Sequence, residues 1–576
     1  MSLYIKLKPK IQFSQLVLVN CRHLVTKSIQ PTAAAVDEDD EYTKEPQYPP
    51  ILDLNYKAIR LRNRLEWHDK IKNLKTVEEK LIGINMPRYY GFKCVMLNDH
   101  IFRYNSMPFF QHITRTQLFD AGLPDCYNNL NEKVDGLLGQ VKSDVQDAVL
   151  FEYTVKQEKK SFQKPLDPET ENRNRTLRVV RQIHRTLMNS LTADCPHLLD
   201  VDTDIHPRHE AFWFVGGIDP PERIRKLRLY SWDKESANDP VDRNFQYFGK
   251  PLLTLRHEHP LESLMEFENF SAEDVSKVPE YRLDPATAGY ASKHKHATTI
   301  PGFWPGCRQE FGLLSYHSRD HIPLRNAQYG QEDCQKAIHS QAIVSSYAWL
   351  LGQACYQGFS TYQDPTYPLS TQTIITDGQL WSFYVYQLNT TRLHIDAIEN
   401  NPKVNQCWGT KEMKLFEQIT EDGKLIGLND DVLRNLMKFY INEPKQRAID
   451  MKPYLGVDEQ KIADIELVER REFLEENFKQ LFSGRPRHIL VPEVYNWEKI
   501  YKIDHKTMPM VPRRRFFELG INPFRRTLDE HRPEYVPKAL RPDDKKNRNR
   551  YKKTYYPCKY EQKYFGYVST FNRKLI

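Results

Sequence analysis

The stretch Thr373-Ile-Ile-Thr-Asp-Gly-Gln-Leu-Trp-Ser-Phe-Tyr-Val-Tyr-Gln-Leu388 predicts a β-hairpin, and the rest of the fold can be arranged around it. Two runs of β-branched and aromatic residues flank Asp377-Gly378, and Asp-Gly supplies the positive φ angles that a two-residue hairpin turn requires. In the second run, Trp381, Phe383 and Val385 alternate with Ser382, Tyr384 and Tyr386, which places the two sets on opposite faces of the strand. The hairpin at 373–388 therefore belongs to a central β-sheet.

Helical patterns lie on both sides of the hairpin. Helices are predicted at 55–82, 131–160, 173–192, 332–357, 430–439 and 458–482, and Asn429 caps the fifth of them. A buried strand is predicted at 211–215, whereas 218–330 is loop-rich with short strand candidates such as 252–255. Together these patterns predict an α+β fold, with mixed helices around a central β-sheet and extended N- and C-terminal segments.

The predicted helix at 55–82 has two different sides. Its apolar stripe consists of Ile59, Leu61, Leu65, Ile71, Leu74, Val77 and Leu81. Its basic side consists of Arg60, Arg62, Arg64, Lys70, Lys72 and Lys75. Either a solvated helix face or a surface that contacts RNA explains this basic side. The helix at 173–192 is also basic, through Arg173, Arg175, Arg178, Arg181 and Arg185.

Composition excludes several classes of protein. The chain has 576 residues, 40% of them hydrophobic, which is enough for a folded core and argues against wholesale disorder. No run approaches the roughly 18 apolar residues that a membrane span requires. Nine cysteines without a C-x-x-C pair argue against a disulfide scaffold and a cysteine-rich zinc site, and favour a reducing compartment.

The positive charge is concentrated at the C-terminus. The net charge is +7, but residues 513–576 carry +11 and the other 512 residues sum to −4. Basic side chains neutralise phosphates, and interleaved aromatic rings stack on unpaired bases, so this arm is predicted to bind RNA. An anionic membrane surface is the alternative partner. The predicted RNA-binding residues are Arg513, Arg514, Arg515, Phe516, Arg525, Arg526, Lys545, Lys546, Arg548, Arg550, Lys552 and Lys553.

The first 36 residues have the composition of a mitochondrial presequence. They contain five Lys or Arg, no Asp or Glu, and many apolar residues, and the acidic run Asp37–Glu41 follows them. A secretory signal fits less well because Gln12, Gln15 and Asn20 interrupt the apolar region. The chain is thus divided into a presequence at 1–36, a linker at 37–50, an α+β body at 51–444, a helical connector at 445–486 and a basic-aromatic arm at 487–576.

A search for catalytic and metal-binding motifs finds no constellation of residues that supports an enzyme. His206-Pro-Arg-His209-Glu210 matches no zinc-protease motif, and the pairs His257/His259 and His294/His296 lack a third ligand. Cys307 and Cys407 have no identifiable base nearby in sequence, and Asp430-Asp431 fits a helix cap better than acid–base work. We therefore predict no catalytic residue, no metal and no cofactor.

Several motifs resemble one known family. They are the run 345–359, Gln372–Gly378 with Phe383–Thr390, Asn400–Lys403 with Cys407–Thr410, and Gly427–Leu433. Together they resemble the animal mitochondrial ribosomal proteins of the programmed cell death protein nine family, first catalogued with the small subunit and now placed in the large one. The resemblance covers roughly 48–444, is strong over 340–444, and does not extend to the last 130 residues.

The resemblance implies a structural constituent of the mitochondrial large ribosomal subunit in the matrix. Such a protein contacts ribosomal RNA and neighbouring ribosomal proteins, including a paralogous large-subunit protein, and has no small-molecule substrate. Two other functions fit parts of the sequence. A mitochondrial RNA-processing factor would share the import signal and the basic arm, and a peripheral inner-membrane adaptor would use the arm as an anchor.

Overall fold

The computed structural model describes residues 52–53, 56–85, 92–154, 168–229, 234–265, 270, 272–295, 298–303, 307–420, 424–456 and 460–482. The described residues from Arg60 onward belong to one compact unit, and the features below lie in it, apart from the first turn of the helix that begins at Tyr56.

Helices and strands are numbered here in chain order. The helices are α1 Tyr56–Lys72, α2 Val77–Asn85, α3 Met107–Thr114, α4 Asn131–Thr154, α5 Pro168–Leu191, α6 Glu222–Leu229, α7 Ala272–Ser276, α8 Gly330–Tyr356, α9 Ile395–Ile398, α10 Asp430–Ile441 and α11 Val468–Phe482. The strands are β1 Phe92–Asn98, β2 Thr116–Phe119, β3 Asp202–Ile205, β4 His209–Ile218, β5 Val241–Gly249, β6 Leu253–His257, β7 Ser292–Lys295, β8 Phe311–Ser318, β9 Leu369–Thr376, β10 Leu380–Leu388, β11 Asn405–Gly409, β12 Met413–Lys414, β13 Gln418–Ile419 and β14 Leu425–Ile426.

The strands form one large mixed sheet, one small mixed sheet and a two-stranded ribbon. The large sheet has the order β2-β11-β10-β9-β8-β6-β3, with β12 also paired to β10. Its β2/β11 and β8/β9 pairs are parallel and its other pairs antiparallel. The small sheet has the order β4-β5-β1-β7. Helices packed on mixed sheets confirm the predicted α+β class.

The predicted hairpin lies in the middle of the large sheet. Its β9 and β10 strands pair from Thr376 opposite Trp381 to Leu369 opposite Leu388. In the turn only Gly378 has a positive φ, of +98°. Asp377 acts instead through its carboxylate, whose Oδ1 accepts hydrogen bonds from the amides of Gln379 (2.9 Å) and Leu380 (2.7 Å). The hairpin is confirmed, but the expected positive φ at Asp377 is wrong, because its side chain stabilises the turn without it.

Helix α8 fills the space between the two sheets. Every residue from Ala337 to Tyr356 is buried. On the small-sheet side the Tyr347 ring contacts Trp213 edge-on at 5.3 Å, and on the large-sheet side Ser346 Oγ lies 2.8 Å from Thr373 Oγ1. A Cβ at Gly312 would lie 2.4 Å from the Trp349 ring, so only glycine permits this close packing of β8 against α8.

The opposite face of the large sheet carries a second core. Trp381, Phe383 and Val385 lie in it with buried residues of α4, α5 and α10, whereas Tyr384, Tyr386 and Leu388 belong to the core around α8. The alternation predicted from the sequence therefore separates two buried faces. The resulting layers are the small sheet, α8, the large sheet, and the helices α4, α5 and α10.

The helix predicted at 55–82 is interrupted. α1 ends at Lys72 and α2 begins at Val77, because Thr76 caps a new helix. Its Oγ1 accepts a hydrogen bond from the Glu79 amide at 3.0 Å, and its hydroxyl also lies 3.2 Å from a Glu79 carboxylate oxygen. The prediction of one continuous helix overlooked this Thr-x-x-Glu capping pattern.

The segment 218–330 is more regular than predicted. It contains α6, α7 and the strands β5 to β8, and β5 lies inside the small sheet between β4 and β1. β5 was missed because Asp242, Arg243 and Asn244 hide the apolar alternation at its beginning. The helix predicted at 458–482 begins at Val468, where α11 packs Leu474 into a small core with Ile462 and Ile465.

Candidate interaction surfaces

The twelve predicted RNA-binding residues, Arg513 to Lys553, lie outside the described residues, as do the predicted presequence and linker. Their roles therefore stay predictions.

The histidines that superficially suggested a metal site are engaged in packing. His209 stacks on the Trp349 ring at 5.2 Å, and the His257 ring accepts a hydrogen bond from the His259 amide at 2.9 Å. His206 adopts a left-handed conformation, with φ of +51°. The side chain of His294 and all of His296 lie outside the described residues. Across the described ranges, no group of three or more His, Cys, Asp or Glu is arranged to hold a metal ion.

The remaining chemical candidates also have structural explanations. Cys407 is fully buried in β11, and its burial raises the pKa of the thiol, so it is a poor nucleophile at neutral pH. Cys307 is half-buried. Asn429 caps α10 by accepting a hydrogen bond from the Asp431 amide at 2.9 Å, and Asp430 pairs with Lys142 at 2.6 Å. The predicted helix cap is confirmed.

The buried carboxylate of Asp99 connects the small sheet to the large sheet. No sequence motif predicts this contact. Asp99 follows β1 and accepts hydrogen bonds from the Tyr247 hydroxyl and from the Lys250 amide (2.6 Å). His317 Nδ1, on the large sheet, lies 3.7 Å away. Burial alone would raise the pKa of Asp99, but His317 and these hydrogen bonds hold it well below its usual range. The group pins β1 to β5 and β8, which is a structural role.

Several neutral histidines make the stability of the fold depend on pH. Burial lowers the pKa of His209 and His321 to about 3 and that of His184 and His339 to about 4. The unfolded chain binds these protons from about pH 6.5 downward, whereas the folded chain does not. The stability that depends on these neutral histidines is therefore fully present above about pH 6.5, and it is lost as the pH falls toward 4 for His184 and His339 and toward 3 for His209 and His321. Each histidine contributes up to about 1.4 kcal/mol per pH unit to this loss.

Urea denaturation of the full chain at pH 7.5, 6.5 and 5.5 should show this loss. His321→Phe is the matched variant, because neither His321 ring nitrogen has a hydrogen-bond partner among the described residues and its ring packs on Phe102 at 4.8 Å. The variant should keep its stability at pH 7.5 and lose less than the parent at pH 5.5. An identical pH profile for both proteins would contradict the assignment.

The basic side of α1 is partly internal. Arg64 forms ion pairs with Asp242 and Asp396 and lies 2.9 Å from His394 Nδ1. Trp67, on the same side, contacts the Tyr362 ring at 4.8 Å. The predicted apolar stripe, in contrast, is split, because Ile71 and Leu81 are buried while Leu61 and Leu65 are 44% and 55% exposed. α1 is therefore attached through Arg64 and Trp67, and the apolar positions of the predicted helix do not form one buried stripe.

The basic helix α5 is also largely engaged within the fold. Arg173 donates to the Lys250 carbonyl (3.1 Å), Arg178 pairs with Glu152 (3.3 Å), and Arg175 lies over the Tyr153 ring at 5.4 Å. Arg181 and Arg185 are exposed. Most of the arginines on this helix thus hold α4, α5 and the sheets together.

Two adjoining loops display a cluster of exposed apolar side chains. The Tyr104 and Tyr329 rings lie 4.7 Å apart and are 62% and 43% exposed. Ile101 and Leu324, in the same loops, are also exposed. Arg325 fixes the loops together by donating to the Phe102 carbonyl at 2.6 Å and by pairing with buried Asp333. A rigid, solvent-facing apolar patch is typical of a protein-docking surface.

A comparison with known families identifies this architecture. The family model described as Mitochondrial 28S ribosomal protein S30 (PDCD9) matches residues 16–444. The chain belongs to this family. It is therefore a mitochondrial protein of the mitoribosome, and a ribosomal protein family implies a structural role. The match ends three residues after α10, so 445–576 lie beyond the family model.

Family membership agrees with the family resemblance of the sequence motifs. The family name carries the small-subunit designation 28S. Among the helices of the described ranges, none is both long and apolar enough to cross a membrane. The family suggests ribosomal RNA and ribosomal proteins as the partners.

Proposed function

We propose that this chain is a structural constituent of the mitochondrial large ribosomal subunit in the matrix, imported by its presequence. It supports mitochondrial translation by binding the large-subunit ribosomal RNA and neighbouring ribosomal proteins, including a paralogous large-subunit protein. The large-subunit placement rests on the motif resemblance over 340–444. The residues proposed to bind RNA are the twelve of the C-terminal arm, from Arg513 to Lys553.

The proposal that the arm binds RNA rests on the uneven distribution of positive charge along the chain. In the described body, cations such as Arg64, Arg178 and Arg256 pair with acids inside the fold. The sequence after residue 512 carries +11, whereas the other 512 residues sum to −4. Because phosphate binding requires unneutralised cations, the arm is the part of the chain best suited to it.

The apolar patch supports contacts with a neighbouring ribosomal protein. Its core is aromatic and aliphatic, and the adjacent Lys336 pairs with Glu332 at 2.7 Å. Arg103 is the exposed cation beside Tyr104, and it donates to the Gly289 carbonyl at 3.0 Å. Few available cations and an apolar centre match the composition of protein interfaces better than that of phosphate-binding surfaces.

Photo-crosslinking at two positions tests both parts. A photoreactive phenylalanine analogue placed at Tyr551 of the full-length chain should give an RNase-sensitive adduct in mitochondria, containing large-subunit ribosomal RNA. At Tyr104 it should give an RNase-resistant protein adduct. Leu199, which is 73% exposed, is the control for random contacts. A lipid adduct at 551 would favour the membrane adaptor, and adducts with diverse precursor RNAs would favour an RNA-processing factor.

A further inference from the structure

Helix α6 lies in the connection between β4 and β5 and is largely exposed to solvent. Its sequence is Glu222-Arg-Ile-Arg-Lys-Leu-Arg-Leu229, and none of its eight residues is buried. Leu227 and Leu229 are 61% and 48% exposed. The side chain of Arg228 reaches the end of the same connection, where it donates hydrogen bonds to the carbonyls of Ser236 (2.7 Å) and Asp239 (2.8 Å).

Such a helix is unusual in energetic terms. Isolated helices shorter than about 12–15 residues are marginal in water, and helices in proteins are stabilised mainly by burying one face. Within α6 itself, the i,i+4 pair of Glu222 and Lys226 (2.7 Å) is fully exposed and stabilises it little. Only Ile224 and Arg228 of this helix are partly buried, so its other side chains, Arg223 and Arg225 among them, remain available for a partner.

The charge of α6 indicates the chemistry of that partner. Four basic residues and one acidic residue give the helix a net charge of +3. The side chains of Arg223 and Arg225 are exposed and form no ion pair or side-chain hydrogen bond with another described residue; Arg225 bonds only through its backbone amide, to the Pro221 carbonyl at 3.1 Å. This differs from α5, where Arg173 and Arg178 are engaged by their own fold. Exposed, unneutralised arginines on a folded element fit the phosphates of a polynucleotide backbone.

We propose that α6 is a second RNA-contacting surface, in which Arg223 and Arg225 bind phosphates of a ribosomal RNA backbone. It follows β4, the edge strand of the small sheet, in the chain, and it lies within the family-matched residues, separate in sequence from the C-terminal arm. The inference rests on the proposed function in one respect, namely that this chain contacts ribosomal RNA. It adds a folded, positioned element to an RNA contact otherwise assigned to an extended arm.

The test compares the salt dependence of RNA binding in charge-neutralised variants. The full-length chain, Arg223→Gln/Arg225→Gln, and Arg223→Lys/Arg225→Lys are titrated with large-subunit mitochondrial ribosomal RNA transcribed in vitro. Each lost phosphate contact lowers the slope of log K against log salt by about 1, so the Gln variant should lose about 2 and the Lys variant little. The matched control is Lys142→Gln/Arg434→Gln, which removes two cations paired with Asp430 and Asp135 and should leave the slope unchanged.

The possible outcomes separate this inference from the proposed function. Loss of slope in the Gln variant but not in the control supports α6 as an RNA surface. An unchanged slope overturns it while leaving the arm assignment intact, and if particle incorporation is then lost, α6 docks a protein instead. Absence of RNA binding by the unmodified chain overturns both. Thermal unfolding of each variant shows that the body remains folded.

Discussion

Deleting residues 513–576 should abolish most of the RNA affinity of this chain while leaving its body folded. The deletion removes 18 basic residues and 7 acidic ones, and it leaves a chain of net charge −4. A protein that makes 6–10 phosphate contacts loses roughly a thousandfold or more in affinity between 50 and 200 mM salt. The truncated chain should therefore bind RNA at least about a hundredfold more weakly at 50 mM salt, with a much shallower salt dependence.

Filter binding or fluorescence anisotropy with in vitro transcribed ribosomal RNA measures this effect. A full-length variant with the twelve predicted RNA-binding residues changed to Gln is the control, because it keeps the length of the arm and removes its phosphate-binding side chains. Both proteins should show the melting temperature of the parent, since the buried residues that form the two main cores of the body all precede residue 513. If the truncated chain bound RNA as tightly as the parent, the arm would not be the RNA-binding element.

Replacing Arg256 by Met should lower the free energy of unfolding by about 3–5 kcal/mol, because it leaves a buried carboxylate without its cation. Arg256 is 1% exposed and contacts Asp204 at 2.6 Å and Asp202 at 2.8 Å. It also donates to the Gln309 carbonyl and lies over the Phe303 ring at 5.1 Å. These contacts hold the edge strand β3 to β6 and to the loop before β8, so the whole edge of the large sheet depends on this residue.

Equilibrium urea denaturation at pH 7.5 measures the loss for Arg256→Met. Arg308→Met is the matched control, because Arg308 is 74% exposed and pairs with Glu258 at 2.7 Å on the surface. Exposed pairs are worth about 0–1 kcal/mol, so the control should remain close to the parent. The double variant Arg256→Met/Asp204→Leu should recover part of the loss, since it removes the unpaired charge. Equal losses for Arg256→Met and Arg308→Met would show that burial does not decide the effect.

The elements with strong local signals could be predicted from the sequence. The β9–β10 hairpin has a turn dipeptide and alternating faces, and α10 has a capping Asn429 whose bond is present in the structure. α8 was predicted within two residues at either end because its small and aromatic residues continue without interruption until Gly358. In these cases the local pattern and the tertiary environment favour the same conformation.

Other features could not be predicted because they depend on contacts between distant parts of the chain. β5 is a nine-residue strand with a polar beginning, and its position follows from pairing with β4 and β1 rather than from its own pattern. Arg64 reads as part of a basic helix face, yet Asp242 and Asp396, more than 170 residues away, draw it inward. Asp99, Tyr247 and His317 likewise form one buried group from three separate strand regions.

The interaction surfaces show the same division. The charge of the C-terminal arm is visible in composition alone, and α6 could have been found from its dense basic residues after Pro220-Pro221. Solvent exposure could not be predicted from the sequence, because Arg173 and Arg223 are the same type of residue. In the fold, Arg173 donates a hydrogen bond to the Lys250 carbonyl, whereas Arg223 is exposed to solvent. The Tyr104–Tyr329 pair required the two loops to be brought together by Arg325.

Sedimentation of the tagged full-length chain from mitochondrial lysate tests the proposed assignment most directly. On a gradient that separates the two ribosomal subunits, the tag is measured in each fraction together with the large- and small-subunit ribosomal RNAs. We expect the chain to peak with the large-subunit RNA and to stay there at low salt. A peak with the small-subunit RNA would contradict the large-subunit placement, and free migration at the top of a low-salt gradient would contradict a structural role in the ribosome.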